Sequence, residues 1–376
     1  MIPPVDLKSE FREIGRDVSR RVRNVLQGGR YILGEEVKQF EEAFARFIGS
    51  KYAIGVANGS DALLLSLMAL GVKPGDEVIT TPFTFIATVT AIARLGAKPV
   101  FVDIEPGSFN INHQLIEKKI TSRTRGIITV HLYGHPCEAE KIQALAKKRG
   151  LFVVEDCAQA CGAKFADQTV GTFGDIGSFS FYPTKTLGAA GDAGAVVTND
   201  PNLYERLKSL HLHGEDGKFH SYRHQFIGIN SRLDEIQAAI LNVKLSRLKR
   251  WNESRRKIAQ RYGELLNSTK GGRRCQCLTP VEAANVYHVY HQYTIRVKDG
   301  KRDALLAQLR AKGIYAGVYY PIPIYTQPCF EYLGCKGSDF PETERACQEV
   351  LSLPIYPQLQ TIQQKSITQA IQLFFS

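Results

Sequence analysis

Between residues 61 and 155 short apolar runs alternate with stretches of helical periodicity about ten residues long. Asp61-Ala-Leu-Leu-Leu-Ser-Leu-Met-Ala-Leu70 is apolar almost all round, which predicts a buried helix stopped by Gly71 and Pro74-Gly75. Glu77–Thr81 then predicts a strand, Thr84–Leu95 a helix, Pro99–Asp103 a strand and Asn112–Lys119 a helix. Gly126–Val130 predicts a strand, Ala139–Lys148 a helix and Leu151–Glu155 a strand. Such alternation predicts a mainly parallel sheet with helices on both faces. Ligands of such sheets bind beyond the carboxyl ends of the strands, and Asp156 lies at one of those ends.

Past residue 230 the pattern changes. Leu233–Trp251, continued to Leu266, predicts one long charged helical stretch, broken near Asn252. Tyr290–Val297 predicts a strand, Arg302–Lys312 a helix and Ile314–Tyr320 a strand, with further helices at Thr343–Leu351 and Gln364–Phe374. This half is expected to be a smaller α/β domain packed on the first. The chain shows no internal repeat and no low-complexity tract.

The composition is that of an ordinary globular protein: 376 residues, 44% hydrophobic and 23% charged. The N-terminal stretch carries Asp6, Glu10, Glu13 and Asp17 and no apolar core of a signal peptide. No window approaches ~18 uninterrupted apolar residues, so no membrane span is expected and the cytoplasm is the default location. Eight cysteines are scattered without a Cys-x-x-Cys pair, and Cys275-x-Cys277 sits in a basic stretch; free thiols are expected, not disulfides or a metal site. The formal charge of +11 suits an anionic ligand. Nucleic acid would suit it too, but the basic residues are dispersed and no base-reading helix or RNA-binding signature occurs.

Lys185 stands out against this background. It follows the alternating run Gly177-Ser-Phe-Ser-Phe181 and precedes the glycine-rich Gly188–Gly194. A lysine at a strand end, among hydroxyls and glycines, is placed to form a Schiff base with a flat cofactor. Upstream, Asp156 ends an apolar strand. The pair suggests pyridoxal phosphate (PLP), with Lys185 on the aldehyde carbon and Asp156 on the pyridine nitrogen. Asn58-Gly-Ser-Asp61 opens the helix at 61–70, where capping residues and free N–H groups make an anion site, and Gly59 lets a phosphate approach. Phe85, in Pro82-Phe-Thr-Phe85, is a candidate to stack on the ring. Taken singly these residues read more simply as a surface lysine, a strand-end acid, an N-cap and a core aromatic; the ordered set points to PLP.

Other chemistries find no support. There is no Gly-x-Gly-x-x-Gly after the first strand, no P-loop and no Gly-x-Ser-x-Gly elbow. His131 and His135 flank Gly134 at a strand end, and His211-x-His213 lacks acidic or cysteine partners, so these histidines read as structural or substrate-facing and no metal is expected.

Seven ordered segments carry a resemblance. They are Gly29–Gly34, Ala57–Leu63, Pro82–Thr88, Val154–Gln159, Ser178–Lys185, Gly228–Asp234 and Tyr320–Pro323. Over about Asp6 to Leu359 the chain resembles the DegT/DnrJ/EryC1/StrS family of PLP-dependent nucleotide-sugar aminotransferases. The resemblance implies an α/β, aspartate aminotransferase-like (type I) fold: a large domain over 15–245 with a mixed, mainly parallel sheet, and a smaller C-terminal α/β domain over 246–376, with residues 1–14 packing near it. It implies Lys185 as the Schiff-base lysine, Asp156 on the pyridinium nitrogen, Gln159 near the 3-hydroxyl and Phe85 on the ring. Gly59, Ser60 and Ser180 would hold the phosphate, completed in a homodimer by Asn230 from the other subunit. Arg232, Tyr319, Tyr320 and Tyr31 would meet the sugar.

The implied reaction moves an amino group from an amino acid, L-glutamate by expectation, to a keto-sugar nucleotide, with the aminated cofactor (PMP) as intermediate. His213-Gly-x-x-Gly-Lys-x-His220, Tyr222, Asn230-Ser-Arg-Leu-Asp234 and Tyr320-Pro-Ile-Pro323 look most like enzymes that aminate 3-keto sugars, including the UDP-2-acetamido-2-deoxy-3-oxo-glucuronate aminotransferases of surface-polysaccharide synthesis. Tyr319 stands where that last subgroup has histidine. The alternatives are a 4-keto sugar aminotransferase, then a PLP-dependent sugar dehydratase or a regulator on the same fold.

Overall fold

The computed structural model describes residues 1–216, 222–268, 277–283 and 285–375. In chain order come α1 (Leu7–Gly28), α2 (Glu35–Ile48), β1 (Tyr52–Val56), α3 (Gly59–Ala69), β2 (Glu77–Thr80) and α4 (Ile86–Arg94). Next are β3 (Lys98–Phe101), α5 (His113–Ile116), β4 (Thr124–Val130), α6 (Ala139–Arg149) and β5 (Phe152–Asp156). A short hairpin of β6 (Lys164–Phe165) and β7 (Gln168–Thr169) leads to β8 (Ile176–Ser180), β9 (Gly194–Thr198), α7 (Pro201–Leu210) and the long α8 (Glu235–Asn267). The C-terminal part holds β10 (Cys277–Leu278), β11 (Val286–Tyr287), β12 (Tyr293–Val297), α9 (Arg302–Ala311), α10 (Pro341–Glu349), β13 (Val350–Leu353) and α11 (Thr361–Phe375).

The main sheet has seven strands in the order β1-β9-β8-β5-β4-β2-β3. The five from β8 to β3 pair in parallel, while β9 is antiparallel to β8 and to β1. Helices cover both faces, so the middle residues of the central strands are apolar on both sides: Ile79, Ile127 and Val153 face one layer, Val78, Ile128 and Val154 the other. On one face Phe40 and Phe44 of α2 pack edge-on against Phe179 and Phe181, with Leu241 and Leu248 of α8 in the same cluster. On the other, Leu63 and Leu67 of α3 and Ala91 and Ile92 of α4 lie on Val78, Ile128 and Val154. A second sheet, β10-β12-β13, is antiparallel and packs with α9, α11 and the end of α8 around Tyr262 and Tyr293.

Three sequence expectations differ from the structure. α8 is continuous over 33 residues and does not break at Asn252. Asn252 is buried, and its amide nitrogen donates to the Cys161 carbonyl at 3.1 Å, so this polar residue is a packing contact inside the helix. The strand expected at Ile314–Tyr320 is reduced to isolated bridges, Ile314 with Ile2 and Gly317 with Ser352. The strand beside β12 is β13, within the stretch read as helix to Leu351: the helix ends at Glu349 and the chain extends at once. Cys275 lies outside the described residues, as do Gly217, Lys218 and His220 of the histidine-glycine segment.

Candidate active site

Strand direction decides what gathers above the sheet. β4, β5 and β8 run parallel, so Val130, Asp156 and Ser180 end at one edge. β9 starts there, with Gly194 opposite both Ser180 and Val56, so β1 ends there too. The segment 181–193 therefore lies over that edge and carries Lys185. The turn after β1 brings Asn58 and Gly59, and the turn after β2 brings Thr84 and Phe85. Together they wall a cavity of about 990 Å³, lined by Gly59, Ser60, Phe85, Asp156, Gln159, Ser180, Lys185, Tyr319 and Tyr320 among others.

One end of the cavity is the start of α3. The Asn58 side chain accepts from Asp61 N at 2.8 Å and its carbonyl from Ala62 N at 3.1 Å. The Gly59 and Ser60 N–H groups find no partner among the described residues, at the positive end of the helix dipole. A Cβ on Gly59 would fall 2.5 Å from Ser180 Cβ. Only glycine lets α3 approach β8 this closely, and the approach sets two serines beside two open N–H groups. That is a cradle for an anion.

The other groups converge from above. Asp156 is buried; its Oδ2 accepts from Thr88 Oγ1 at 2.8 Å and its Oδ1 from Ala158 N at 3.1 Å. Burial pushes its carboxyl above the usual aspartate range, against the pull of the Thr88 and Ala158 hydrogen bonds and the Lys185 charge. Burial also lowers the Lys185 amine to about 8, with Asp156 opposing. Gln159 is fixed at both ends of its amide: Oε1 accepts from Tyr133 N at 2.6 Å, and Nε2 donates to the Tyr320 hydroxyl at 3.1 Å. Phe85 holds the N-cap position of α4; the residue is 55% exposed and its ring centroid lies 6.3 Å from that of Tyr320. A phenylalanine left open on a cavity wall offers a face for a planar ring. A Cβ at Gly317 would fall 2.6 Å from the Tyr319 ring, so glycine there makes room for that ring on the wall.

Asn230, Arg232 and Tyr31 do not line this cavity. They sit together near the start of α8: Asn230 bridges Leu212, Ile32 bridges Asp234, and Glu235 N donates to the Tyr31 carbonyl at 3.0 Å. Motif reading missed Thr84, Thr88, Tyr133, His291 and Gln292. Of these only the Thr84-x-x-x-Thr88 spacing, one helical turn at a helix start, was visible in the sequence.

A second acid stands beside the first. Glu155 accepts from the Gly171, Phe173 and Gly174 N–H groups, each at 2.8 Å, and is 2.9 Å from His131 Nε2. Because His131 Nδ1 accepts from Cys137 N at 3.1 Å, Nε2 carries the proton and donates to Glu155. His131, Glu155 and Cys157 are the one grouping of metal-ligand types among the described residues. Both histidine nitrogens are engaged and the carboxylate has four donors, so the group reads as a buried hydrogen-bond network.

The DegT/DnrJ/EryC1/StrS aminotransferase family model matches residues 12–372. A curated protein of Geobacillus stearothermophilus, named a pleiotropic regulatory protein, is 47% identical over 100% of this chain and 98% of its own. The UDP-N-acetyl-3-dehydro-alpha-D-glucosamine 3-aminotransferase of Acidithiobacillus ferrooxidans is 43% identical over 95% and 94%. Among solved structures, S. venezuelae DesV in complex with a ketimine intermediate superposes with a TM-score of 0.94 at 40% identity, over 99% of this chain and 98% of that one.

Proposed function

The chain belongs to the DegT/DnrJ/EryC1/StrS aminotransferase family, and from that premise we propose that it moves an amino group from L-glutamate to the C3 ketone of a sugar nucleotide. The observation that carries this reading is the meeting of Lys185, Asp156, Gln159, Phe85 and the Gly59–Ser60–Ser180 cradle around one cavity. Those residues fit PLP. Open N–H groups and serines suit its phosphate, an exposed aromatic suits its ring, and a carboxylate with acceptor capacity left suits its ring nitrogen. An amine of lowered pKa suits its aldehyde carbon. Bound there, PLP supplies the electron sink for breaking the Cα–H bond of the amino acid.

The protein's own groups do the rest. Asp156, ionised, holds a proton on the ring nitrogen. Lys185 Nζ, titrating near 8 and not at the ordinary 10.5, is in part a free base at neutral pH. With the cofactor bound, it would be the group that takes up the Cα proton and gives it back. Gln159, clamped by Tyr133 and Tyr320, presents its amide at the 3-hydroxyl. Tyr319 and Tyr320 form the wall toward the sugar.

We further propose a homodimer in which Asn230 of one subunit completes the phosphate cradle of the other. Asn230 is exposed and does not line its own cavity, and Tyr222 and Ile227 of the preceding segment are 86% and 95% exposed, side chains that a second copy would cover. Among the described residues no helix is long and apolar enough to cross a membrane; we take the cytoplasm as the compartment. The name of the Geobacillus relative raises the regulator alternative, but a protein that only binds needs no lysine poised beside an acid. Incubation with PLP, L-glutamate and a panel of 3-keto and 4-keto sugar nucleotides, read by mass spectrometry, tests the reading. An amino sugar from the 3-keto substrate is the expected product; amination of 4-keto substrates alone would move the reaction to C4, and no amination would remove the reading.

A further inference from the structure

Thr84 and Thr88 are both buried, one turn apart where α4 begins. Their hydroxyl oxygens are 2.9 Å apart, and that of Thr88 is 2.8 Å from Asp156 Oδ2. Each hydroxyl has one proton to donate. An ionised Asp156 can only accept, so Thr88 directs its proton to Oδ2 and accepts in turn from Thr84. If Asp156 is protonated at Oδ2 the order reverses: Asp156 donates to Thr88, and Thr88 to Thr84. The chain of hydroxyls therefore has a direction set by the charge of Asp156, and Thr84 stands on the cavity wall. With Ala158 N on the other oxygen, Thr88 also stops the carboxylate from turning.

We propose that Thr88, backed by Thr84, is a positioning residue for the reaction: it keeps the Asp156 carboxylate ionised and aimed at the ring nitrogen of PLP. The proposal rests on the reading of Asp156 as the ring-nitrogen partner. Other groups act on Asp156 as well. Lys185 faces it as a potential cation, Tyr320 and Cys157 as potential anions, and His131 as a ring whose Nε2 proton goes to Glu155. None of these four donates to Oδ2; that oxygen's donor in the chain is Thr88. Without it, Oδ2 sits unpaired in a dry site and Asp156 binds a proton at higher pH. The ring nitrogen then loses its anionic partner, and Lys185 Nζ, with less positive charge facing it, keeps its own proton to higher pH.

The test is a pH titration of the visible absorbance of the PLP-loaded enzyme, run with turnover on L-glutamate. Thr88→Val should move the titration midpoint up by about one pH unit, the scale of one charge-assisted hydrogen bond. Thr88→Ser, which keeps the hydroxyl, should stay at the wild-type midpoint. Thr84→Val should move it the same way by less, and it decides the matter if Thr88→Val does not fold. A wild-type midpoint in the valine variants, or a serine variant displaced as far as valine, would overturn the proposal. Wild-type protein that shows no cofactor absorbance would instead overturn the aminotransferase reading on which the proposal stands.

Discussion

Glu155 and Asp156 are neighbours on one strand, both buried, and their surroundings differ completely. A strand sends successive side chains to opposite faces. Glu155 points into the side where the 171–174 turn wraps it, and its oxygens meet three N–H groups and His131. Asp156 points to the cavity and has two donors, with Lys185 nearby. The acid whose acceptor capacity is used up is tied into the fold; the one with capacity to spare lies on the cavity wall. Burial alone does not separate them, and neither does residue type. The count of satisfied lone pairs does.

The comparison breaks most visibly at Asp156. Asp156→Asn should keep the fold and much of the PLP affinity while lowering turnover by about a hundredfold to a thousandfold, roughly 3–4 kcal/mol of barrier. Steady-state kinetics on the PLP-loaded variant reads this, and unchanged turnover would mean that Asp156 is the structural acid after all. Glu155→Gln should do the opposite. It should lower unfolding stability by about 2–4 kcal/mol, because an amide nitrogen replaces one oxygen and two of the four donors lose their acceptor, with turnover per folded molecule largely kept. Denaturant midpoints measure it. A Glu155 variant that is fully stable but inactive would exchange the two roles.

Asn230 sharpens the same idea, since it is exposed and does not line the cavity of its own chain. Lys185→Ala and Asn230→Asp should each be inactive, the latter because it sets a carboxylate against a phosphate. Mixed in equal amounts with free exchange, they should recover about a quarter of wild-type activity, since half the dimers are mixed and each has one intact site of two. No recovery despite demonstrated exchange would place Asn230 in the site of its own subunit. A smaller effect separates Lys185 from the surface lysines. The neutral amine is the nucleophile and is present above its pKa. In cofactor-free protein, acylation of Lys185 should therefore rise with pH through about 8, while an ordinary lysine reacts only toward 10.5. A Lys185 profile matching the surface lysines would contradict its enclosed setting.

The strand–helix alternation from 61 to 155 was legible because each strand has an apolar middle and most of the helices are short and followed by glycine. Asp156, Lys185 and Gly59 were legible for a related reason: parallel strands leave their carboxyl ends at one edge, so position along the chain becomes position at the site. What escaped was set by tertiary contact. Asn252 reads as a helix breaker but packs against the Cys161 carbonyl. Val350 and Leu351 extend a helical pattern but pair with β12. Thr88 and Tyr133 reach the site through hydrogen bonds to Asp156 and Gln159 that no local periodicity encodes. Arg232 and Tyr31, expected at the sugar, do not line the cavity of their own chain.

The most direct measurement of the account is borohydride reduction of the purified, PLP-loaded protein, followed by peptide mapping. The pyridoxyl label should fall on Lys185, in the peptide that contains Tyr182-Pro-Thr-Lys185, and Lys185→Ala should carry none. A label on another lysine, or no label on wild-type protein, would contradict the assignment of this cavity as the PLP site.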